Sequence, residues 1–184
     1  MMIKIFPFIF ILLWSSAFIT TKPIIDNSDP FAALVFRFAI VAFGFFLFSI
    51  YSKKKIFVYR KHFFESFFSG VLFHGLYLGG VFYSISKGMP TGIAALIVTL
   101  QPILTNALSG PILNEKVSKK QWIGVLLGFF GASLVLGYDI GSGIPLIGLV
   151  ATIIALIAIT LSTIWQKKLS NNLPLSVCNM YQAL

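Results

Sequence analysis

The sequence predicts an all-α integral membrane protein with six transmembrane helices plus the start of a seventh. Hydrophobic residues make up 58% of its 184 positions and charged residues only 10%. A soluble domain carries about a quarter charged residues, so this composition excludes a soluble fold. The apolar residues are collected into long runs, and about 20 helical residues cross a ~30 Å hydrocarbon core.

The apolar runs predict six spans over residues 5–20, 31–51, 63–85, 91–113, 121–136 and 144–165, with a seventh beginning over 174–184. Three of them carry local start signals. Pro7 lies in the first turn of the first span, where its missing N–H costs little. Asp29 is the predicted N-cap of the second span, with Pro30 at the first helical position. Ser118 and Gln121 have the spacing of a capping box before the fifth span.

The fourth and fifth spans carry features that break or join helices. Pro102 interrupts the fourth span and frees a backbone carbonyl one turn earlier. Gly124, Gly128 and Gly131 lie on nearly one face of the fifth span, and small residues at that spacing let helix backbones approach closely in lipid. A short basic elbow separates the two spans. The pattern predicts two membrane helices joined by a tight cytoplasmic turn.

The basic residues lie mainly at alternate junctions between spans. Eleven are on one side, at Lys4, Lys53, Lys54, Lys55, Arg60, Lys61, Lys116, Lys119, Lys120, Lys167 and Lys168. Only Lys22 and Lys87 are on the other. By the positive-inside rule the N-terminus is cytoplasmic, in the plasma (inner) membrane. The net charge of +9 therefore reflects topology, and we expect no nucleic-acid partner. The lone Cys178 excludes a disulfide framework.

Several short motifs carry a family resemblance. An Ala/Leu-rich run precedes Gln101-Pro102, followed by Leu113-Asn114-Glu115-Lys116, Gln121-Trp122-Ile123-Gly124 and Gly131-Ala132. Trp14-Ser15-Ser16-Ala17-Phe18 stands ahead of Lys22, and Arg37-Phe38 lies in the next span. The chain resembles the EamA-type branch of the drug/metabolite transporter (DMT) superfamily over essentially its whole length. Glu115 matches the family's elbow glutamate, where we expect local pairing with Lys119 or backbone amides.

The resemblance implies two five-helix repeats of opposite orientation, the geometry that alternating-access carriers use. Residues 1–137 would form the first repeat, and residues 144–184 would begin an incomplete second one. We therefore expect the chain to be incomplete at its C-terminus, either as a fragment or as a truncated gene product.

Polar residues at membrane depth are the candidate binding residues, because hydrocarbon penalises them unless they are paired or wet. Arg37 either extends outward to Asp29 or Asp139 or meets the carboxylate of a substrate. His74 and Tyr77 share one face of the third span. They either line a cavity there, or His74 is hydrogen-bonded to a neighbouring helix.

Gln101 and Thr105 lie one turn apart beside Pro102, where they form either a cavity wall or a plain interhelical hydrogen bond. Trp14 and Ser16 lie near the middle of the first span. Trp in membrane proteins usually lies at the interface, so Trp14 at mid-span indicates either a cavity contact or ordinary packing. The predicted substrate-binding set is therefore Trp14, Ser16, Arg37, His74, Tyr77, Gln101, Pro102 and Thr105.

These residues and the resemblance predict a secondary transporter that exports small organic metabolites, such as amino acids or related solutes. Aromatic, hydroxyl and amide groups with one cation suit a zwitterion or a small anion. No acid–base pair or metal cluster appears, so we expect no enzyme activity, catalytic residue, metal or cofactor. The alternative is a transport-incompetent fragment or an assembly subunit of a membrane complex. The expected partners are the solute, the bilayer, and either a second copy or a missing C-terminal half.

Overall fold

The computed structural model describes residues 5–113, 118–136, 143–170 and 173–184. Within these ranges the regular elements are all helical, as the composition predicts. In chain order they are α1 (Phe6–Asn27), α2 (Pro30–Tyr51), α3 (Arg60–Ser86), α4 (Thr91–Leu113), α5 (Lys119–Leu136), α6 (Leu146–Leu169) and α7 (Leu175–Gln182).

Among the described residues, five helices are long and apolar enough to cross a membrane: α1, α2, α3, α4 and α6. The fifth predicted span, α5, does not join them. Its first turn holds Lys119, Lys120 and Gln121, so its apolar part begins only at Trp122. The sequence predicts six spans plus the start of a seventh. Five of the described helices have the length and composition of a membrane span.

The predicted helix starts are confirmed where they depend on capping chemistry. The Asp29 carboxylate accepts hydrogen bonds from the backbone N–H groups of Phe31 (3.0 Å) and Ala32 (2.8 Å). At α5 the backbone N–H of Ser118 donates to Gln121 Oε1 at 2.8 Å, and that of Gln121 donates to Ser118 Oγ at 3.3 Å. Both caps satisfy amides that lack a partner inside the helix.

The first helix is longer than predicted, since α1 continues past Thr20 to Asn27 with Pro23 inside it. The polar residues that marked its predicted end stabilise its last turns instead. Lys22 Nζ contacts Asp26 Oδ1 at 2.6 Å, the favourable i, i+4 spacing of opposite charges. The side chain of Asn27 donates to the Pro23 carbonyl at 2.8 Å, so that terminal carbonyl is satisfied.

Two membrane helices depart from regular α geometry. In α3 the segment Val71–Leu78 is π-helical, which widens one stretch of the helix between Arg60–Gly70 and Gly79–Ser86. In α4 the helix is interrupted between Thr91–Val98 and Gln101–Leu113. This break lies within the turn before Pro102, where the sequence predicts a freed carbonyl. Proline has no N–H to donate to the carbonyl four residues earlier, and its ring clashes with that carbonyl.

The core of the described bundle lies where α3 and α6 cross. It consists of buried apolar side chains from α3, α4, α6 and the 3–4 junction: Tyr77, Val81, Ile85, Met89, Ile93, Ala94, Val98, Ala155, Ala158 and Ile159. Small residues allow the helices to approach closely. A Cβ at Gly80 would lie 3.2 Å from the Ala151 carbonyl oxygen, and one at Gly148 would lie 3.1 Å from Met89 Cβ.

The glycine face predicted on α5 does not pack in this way. No described atom outside the helix backbone lies within 4 Å of a Cβ placed at Gly124, Gly128 or Gly131. The close approaches are at glycines of α3 and α6, because those two helices cross at the centre of the bundle. Glycine spacing alone identified the capacity for close packing but not the helix that uses it.

A seam of small polar side chains joins α2 and α3 to α6 and α7. Ser84 Oγ donates to the Gly148 carbonyl at 2.7 Å, and the Ser69 and Ser162 hydroxyls lie 3.1 Å apart. Near the start of α7, Ser49 Oγ donates to Ser176 Oγ at 3.0 Å. Such hydrogen bonds give helix contacts in lipid a specificity that apolar side chains do not supply.

Candidate functional site

The structure separates the predicted binding residues into two clusters. The aromatic cluster lies between α1, α2 and α3. The Trp14 and Tyr77 rings are stacked, with centroids 6.4 Å apart and planes inclined by 10°. Phe73 packs edge-on against Tyr77 at 5.3 Å. Tyr77 is almost completely buried and belongs to the apolar core, with Trp14 packed against it.

His74 extends the aromatic cluster towards α2. Its ring lies 4.3 Å from that of Phe38 and 5.1 Å from that of Phe73, measured between centroids. Its Nδ1 is buried and has no hydrogen-bond partner among the described residues. The interhelical hydrogen bond that the sequence left open for His74 Nδ1 is therefore not formed. A buried polar atom without a protein partner is unfavourable and uncommon in folded proteins.

Arg37 lies beside this cluster on α2 and is exposed. Its positive charge acts on both His74 and Tyr77. In the described part of the chain it forms no salt bridge, and the Asp29 carboxylate caps the start of α2 instead. The Arg37–Asp29 interaction weighed from the sequence is therefore absent, while Asp139 lies outside the described residues.

The second cluster consists of amide and hydroxyl groups between α4 and α6. Gln101 Nε2 donates to Thr163 Oγ1 at 3.1 Å and more weakly to Thr105 Oγ1 at 3.4 Å. Thr163 also donates to the Ile159 carbonyl at 2.8 Å. The interhelical hydrogen bond, one of the two sequence interpretations, is formed. Pro102 is exposed and directly follows the break in α4.

Ser16 belongs to neither cluster. It is exposed, and its hydroxyl donates to the carbonyl of Leu13 at 2.9 Å within α1. It lies two positions after Trp14, which places the two side chains on different faces of a helix. Its place in the predicted substrate-binding set stays a prediction, with no contact to the other members among the described residues. Glu115, the predicted elbow residue, lies outside the described residues.

Polar residues of α6 and α7 were absent from the predicted set. Thr163 is the α6 partner of Gln101. One turn further on, Gln166 Nε2 donates to Asn179 Oδ1 at 3.0 Å and to Gln182 Oε1 at 3.3 Å. The signal in the sequence is the presence of hydroxyl and amide residues in an otherwise apolar run. It does not show which neighbouring helix those residues face.

A groove of about 870 Å³ lies between α2, α3 and α7, with His74 in its lining. Its lining is largely apolar and includes Leu34, Phe38, Ala39, Ala42, Phe46, Val71, Met180 and Leu184, with His74 and Gln182 as polar members. Among the described residues no group of His, Cys, Asp or Glu has a metal-binding arrangement. The candidate binding groups among the described residues are therefore aromatic rings, the Arg37 guanidinium, and amide and hydroxyl side chains.

These features define the class of protein: a helical integral membrane protein with polar side chains held between its apolar helices. The sequence model of the EamA-like transporter family matches residues 1–137, and the chain belongs to that family. Membership in a family of membrane carriers points to a transporter and not to an enzyme.

Curated relatives are consistent with this family. A probable amino-acid metabolite efflux pump of Salmonella typhimurium is 24% identical over 165 residues, 89% of this chain and 53% of the relative. The protein of the same description in Escherichia coli is 24% identical over 163 residues, 88% of this chain and 52% of the relative. An uncharacterized transporter of Bacillus subtilis is 31% identical over 97 residues, 53% of this chain and 30% of the relative.

The chain thus spans about half the length of the two efflux pumps that it matches. No solved structure matches it.

Proposed function

We propose that this chain is part of a secondary transporter that exports small organic metabolites, such as amino acids or related solutes, by alternating access. The observation that carries the proposal is the aromatic cluster beside Arg37. There an exposed guanidinium without a salt bridge among the described residues lies near the buried, unpartnered Nδ1 of His74. Two relatives described as probable amino-acid metabolite efflux pumps support the same substrate class.

The chemistry of the cluster fits a zwitterion. A guanidinium binds a carboxylate through charge-assisted hydrogen bonds, and aromatic faces such as those of Trp14 and Tyr77 attract an ammonium group or an apolar side chain. The described acids lie at helix ends. Asp26 and Asp29 flank the α1–α2 junction, and Glu65 contacts His62 at 3.2 Å near the start of α3. A lipophilic cation would lack a carboxylate partner at membrane depth, so it is the poorer substrate.

In carriers of this kind, interrupted helices form the substrate site around which the repeats move, and in this proposal α3 and α4 are those helices. The interruption of α4 at Thr99 and Leu100 and the π-helical segment of α3 both lie beside the candidate residues. Helix irregularities of this kind occur frequently at functional sites. We further propose that α6 and α7 begin a second repeat of opposite orientation, in which they correspond to α1 and α2.

The remainder of the carrier is proposed to cover the groove between α2, α3 and α7. A largely apolar groove bounded by three helices suits a further helix, supplied either by a second copy or by a C-terminal half. The half-length match to the relatives supports the latter. Under the alternative function, a transport-incompetent fragment or assembly subunit, the groove would bind a partner without forming a pathway.

Arg37→Gln in the full-length protein tests the carrier hypothesis, with Arg60→Gln at the α2–α3 junction as the matched control. We expect Arg37→Gln to lower efflux of the transported amino acid by at least about tenfold, because loss of a charge-assisted hydrogen bond costs about 1.5–3 kcal/mol. Counterflow in inverted membrane vesicles would measure it. Arg60→Gln should retain transport. Equal transport in both variants at equal expression would contradict the proposed role of Arg37.

We propose that the N-terminus is cytoplasmic in the inner membrane, on the strength of the junction charges. A Cys178→Ser background allows single cysteines to report the orientation. A cysteine at Lys54 should be protected from a membrane-impermeant maleimide in intact cells, whereas one at Lys87 should be labelled. The reverse pattern, or labelling of a cysteine at Ser142 only after the membrane is opened, would contradict this topology.

A further inference from the structure

The junction between α2 and α3 combines basic and aromatic residues on an exposed surface. Five of the nine residues from Lys53 to Lys61 are cationic: Lys53, Lys54, Lys55, Arg60 and Lys61. All five are exposed. We call this nine-residue segment the basic junction.

The backbone of the basic junction is held in place. Lys53 has a positive φ of 52°, and its N–H donates to the Ile50 carbonyl at 2.9 Å, which ends α2 in a tight turn. The Tyr181 hydroxyl donates to the Ile56 carbonyl at 3.0 Å. These contacts fix the segment against the end of α2 and against α7, so its side chains form a defined surface.

The central side chains of the segment alternate in exposure. Ile56 and Val58 are half-buried, whereas Phe57 and Tyr59 are 86% and 79% exposed. Ile56 and Phe57 also border the groove between α2, α3 and α7, and Tyr59 lies clear of it. Tyr51, at the end of α2, is also almost fully exposed. Exposed Tyr residues next to the end of a membrane helix are typical of the headgroup region, where the ring enters the apolar layer and the hydroxyl stays wet. Phe57 adds a purely apolar ring beside them.

The cations of the basic junction have no acidic partner in the described structure. The first turn of α3 holds no acid, and Glu65, the nearest acid along the chain, contacts His62. The opposite end of the bundle is different. There Lys22 contacts Asp26 at 2.6 Å, and Lys87 Nζ lies over the Tyr83 ring, 5.3 Å from its centroid. The cations at that end are therefore engaged within the protein.

We propose that the basic junction binds the headgroups of anionic phospholipids, with its cations on the phosphates and the rings of Phe57 and Tyr59 at the level of the glycerol backbone. Clusters of Lys and Arg immediately beside a membrane helix attract anionic lipids. Two aromatic residues hold the same segment at the interface. The surface would enrich anionic lipid around the α2–α3 end of the bundle, whatever solute the protein transports.

Spin-labelled lipids test the proposal directly. The full-length protein is reconstituted in phosphatidylcholine vesicles with trace spin-labelled phosphatidylglycerol or spin-labelled phosphatidylcholine. The protein-bound fraction of each label then gives a relative association constant. We expect the wild-type protein to prefer phosphatidylglycerol severalfold, and the preference to fall as the salt concentration rises because the interaction is between charges.

Two matched double variants assign the preference to this surface. K54Q/K55Q should remove most of the severalfold phosphatidylglycerol preference, since each Lys or Arg near an anionic surface contributes about 1 kcal/mol to the association. K22Q/K87Q removes the same charge from the other end and should retain the preference. F57A/Y59A should weaken binding of both lipids at this end without removing the charge selectivity.

Three results would overturn the proposal. One is the absence of any phosphatidylglycerol preference in the wild-type protein. Another is an equal reduction in K54Q/K55Q and K22Q/K87Q, which would mean that net charge alone sets the preference. The third is displacement of the bound label by equimolar glycerol 1-phosphate, which would identify a soluble phosphate site in place of a lipid surface. Size-exclusion profiles of the variants exclude misfolding as the cause.

Discussion

At the scale of single residues, Gly70 determines how closely α3 approaches α7. A Cβ added at this position would overlap the backbone carbonyl oxygen of Gln182 and lie 2.7 Å from its carbonyl carbon. The obstructing atoms belong to a backbone, so they move only if the whole of α7 moves. Gly70 also lies directly after Ser69, which contacts Ser162 and Gln182. The polar seam therefore depends on the missing side chain at Gly70.

Gly70→Ala is expected to destabilise the protein by about 1–3 kcal/mol, the usual cost of overpacking a filled site. The control is Gly92→Ala, because no side chain or neighbouring backbone atom lies within 4 Å of a Cβ at that exposed helical position. Thermal unfolding in detergent, followed by the loss of the monodisperse peak, measures both variants. A lower unfolding temperature for Gly70→Ala alone is the expected result, and equal temperatures would contradict the close α3–α7 contact.

Hydrogen-bonding residues show what a single sequence position leaves undecided. The sequence identified Gln101 as polar at membrane depth, and it left open a cavity or an interhelical bond. Its partner Thr163 lies 62 positions later on α6. Similarly, His74 was a candidate without a known environment, and the structure leaves its Nδ1 buried and unpartnered. Residue type predicts the need for a partner, whereas the packing of helices decides whether one is present.

At the scale of elements, the two broken or widened helices lie beside the candidate residues. The amide of Thr99 donates to the Ala95 carbonyl at 3.0 Å, and that of Leu100 donates to the Ile97 carbonyl at 3.1 Å. The first of these hydrogen bonds spans four residues and the second only three, so the helix tightens after Thr91–Val98 and before Gln101–Leu113 begins. Pro102 explains the break, because it has no N–H and its ring occupies the space of the carbonyl one turn earlier.

Pro102→Ala is expected to close the break in α4 by restoring a regular bond from residue 102 to the Val98 carbonyl. Amide hydrogen exchange should then slow at Thr99 and Leu100, and transport should fall if the break is needed for the conformational change. Pro111→Ala is the control, since that proline lies inside Gln101–Leu113 without interrupting it.

Exchange measured by mass spectrometry over peptides of α4 distinguishes the two proline variants. Unchanged exchange at Thr99 and Leu100 in Pro102→Ala would show that tertiary contacts, and not Pro102, hold the break. Slower exchange with normal transport would separate the break from the transport mechanism.

At the scale of the whole molecule, many apolar side chains are exposed on the outside of the bundle. Phe8, Val35, Ile40 and Leu146 are among those more than 60% exposed. In water such a surface would drive aggregation, and in a bilayer it faces acyl chains that are equally apolar. The groove between α2, α3 and α7 differs from this outer surface because it is concave and has His74 and Gln182 in its lining.

Ala39→Trp tests whether the groove is an interface. Ala39 lines the groove and is exposed in the described bundle, so an indole there would clash with any helix that occupies it. The adjacent Ile40 is 71% exposed and does not line the groove, which makes Ile40→Trp the matched control.

The expected result is that Ala39→Trp lowers the unfolding temperature of the full-length protein, or dissociates a dimer of this chain, whereas Ile40→Trp does neither. Light scattering coupled to size-exclusion chromatography separates these two outcomes. A temperature shift at constant mass indicates a helix of the same chain, and a halved mass indicates a second copy. No effect on either quantity would mean that lipid fills the groove.

The sequence by itself determined the all-helical membrane class, the helix starts at Asp29 and Ser118, and the break before Pro102. These depend on local chemistry, such as apolar run length, capping hydrogen bonds and the geometry of proline, all of which act within a few residues. The family was also recognisable from short motifs, and the family match over residues 1–137 agrees with them.

Only the tertiary structure decided which faces meet. It placed the close helix contacts at Gly70, Gly80 and Gly148 and left the glycines of α5 open among the described residues. It also joined Trp14 to Tyr77 and separated both from Ser16. Every helix in an apolar environment offers several faces of similar hydrophobicity. The choice among them therefore depends on the shapes and hydrogen bonds of distant helices, which no local pattern records.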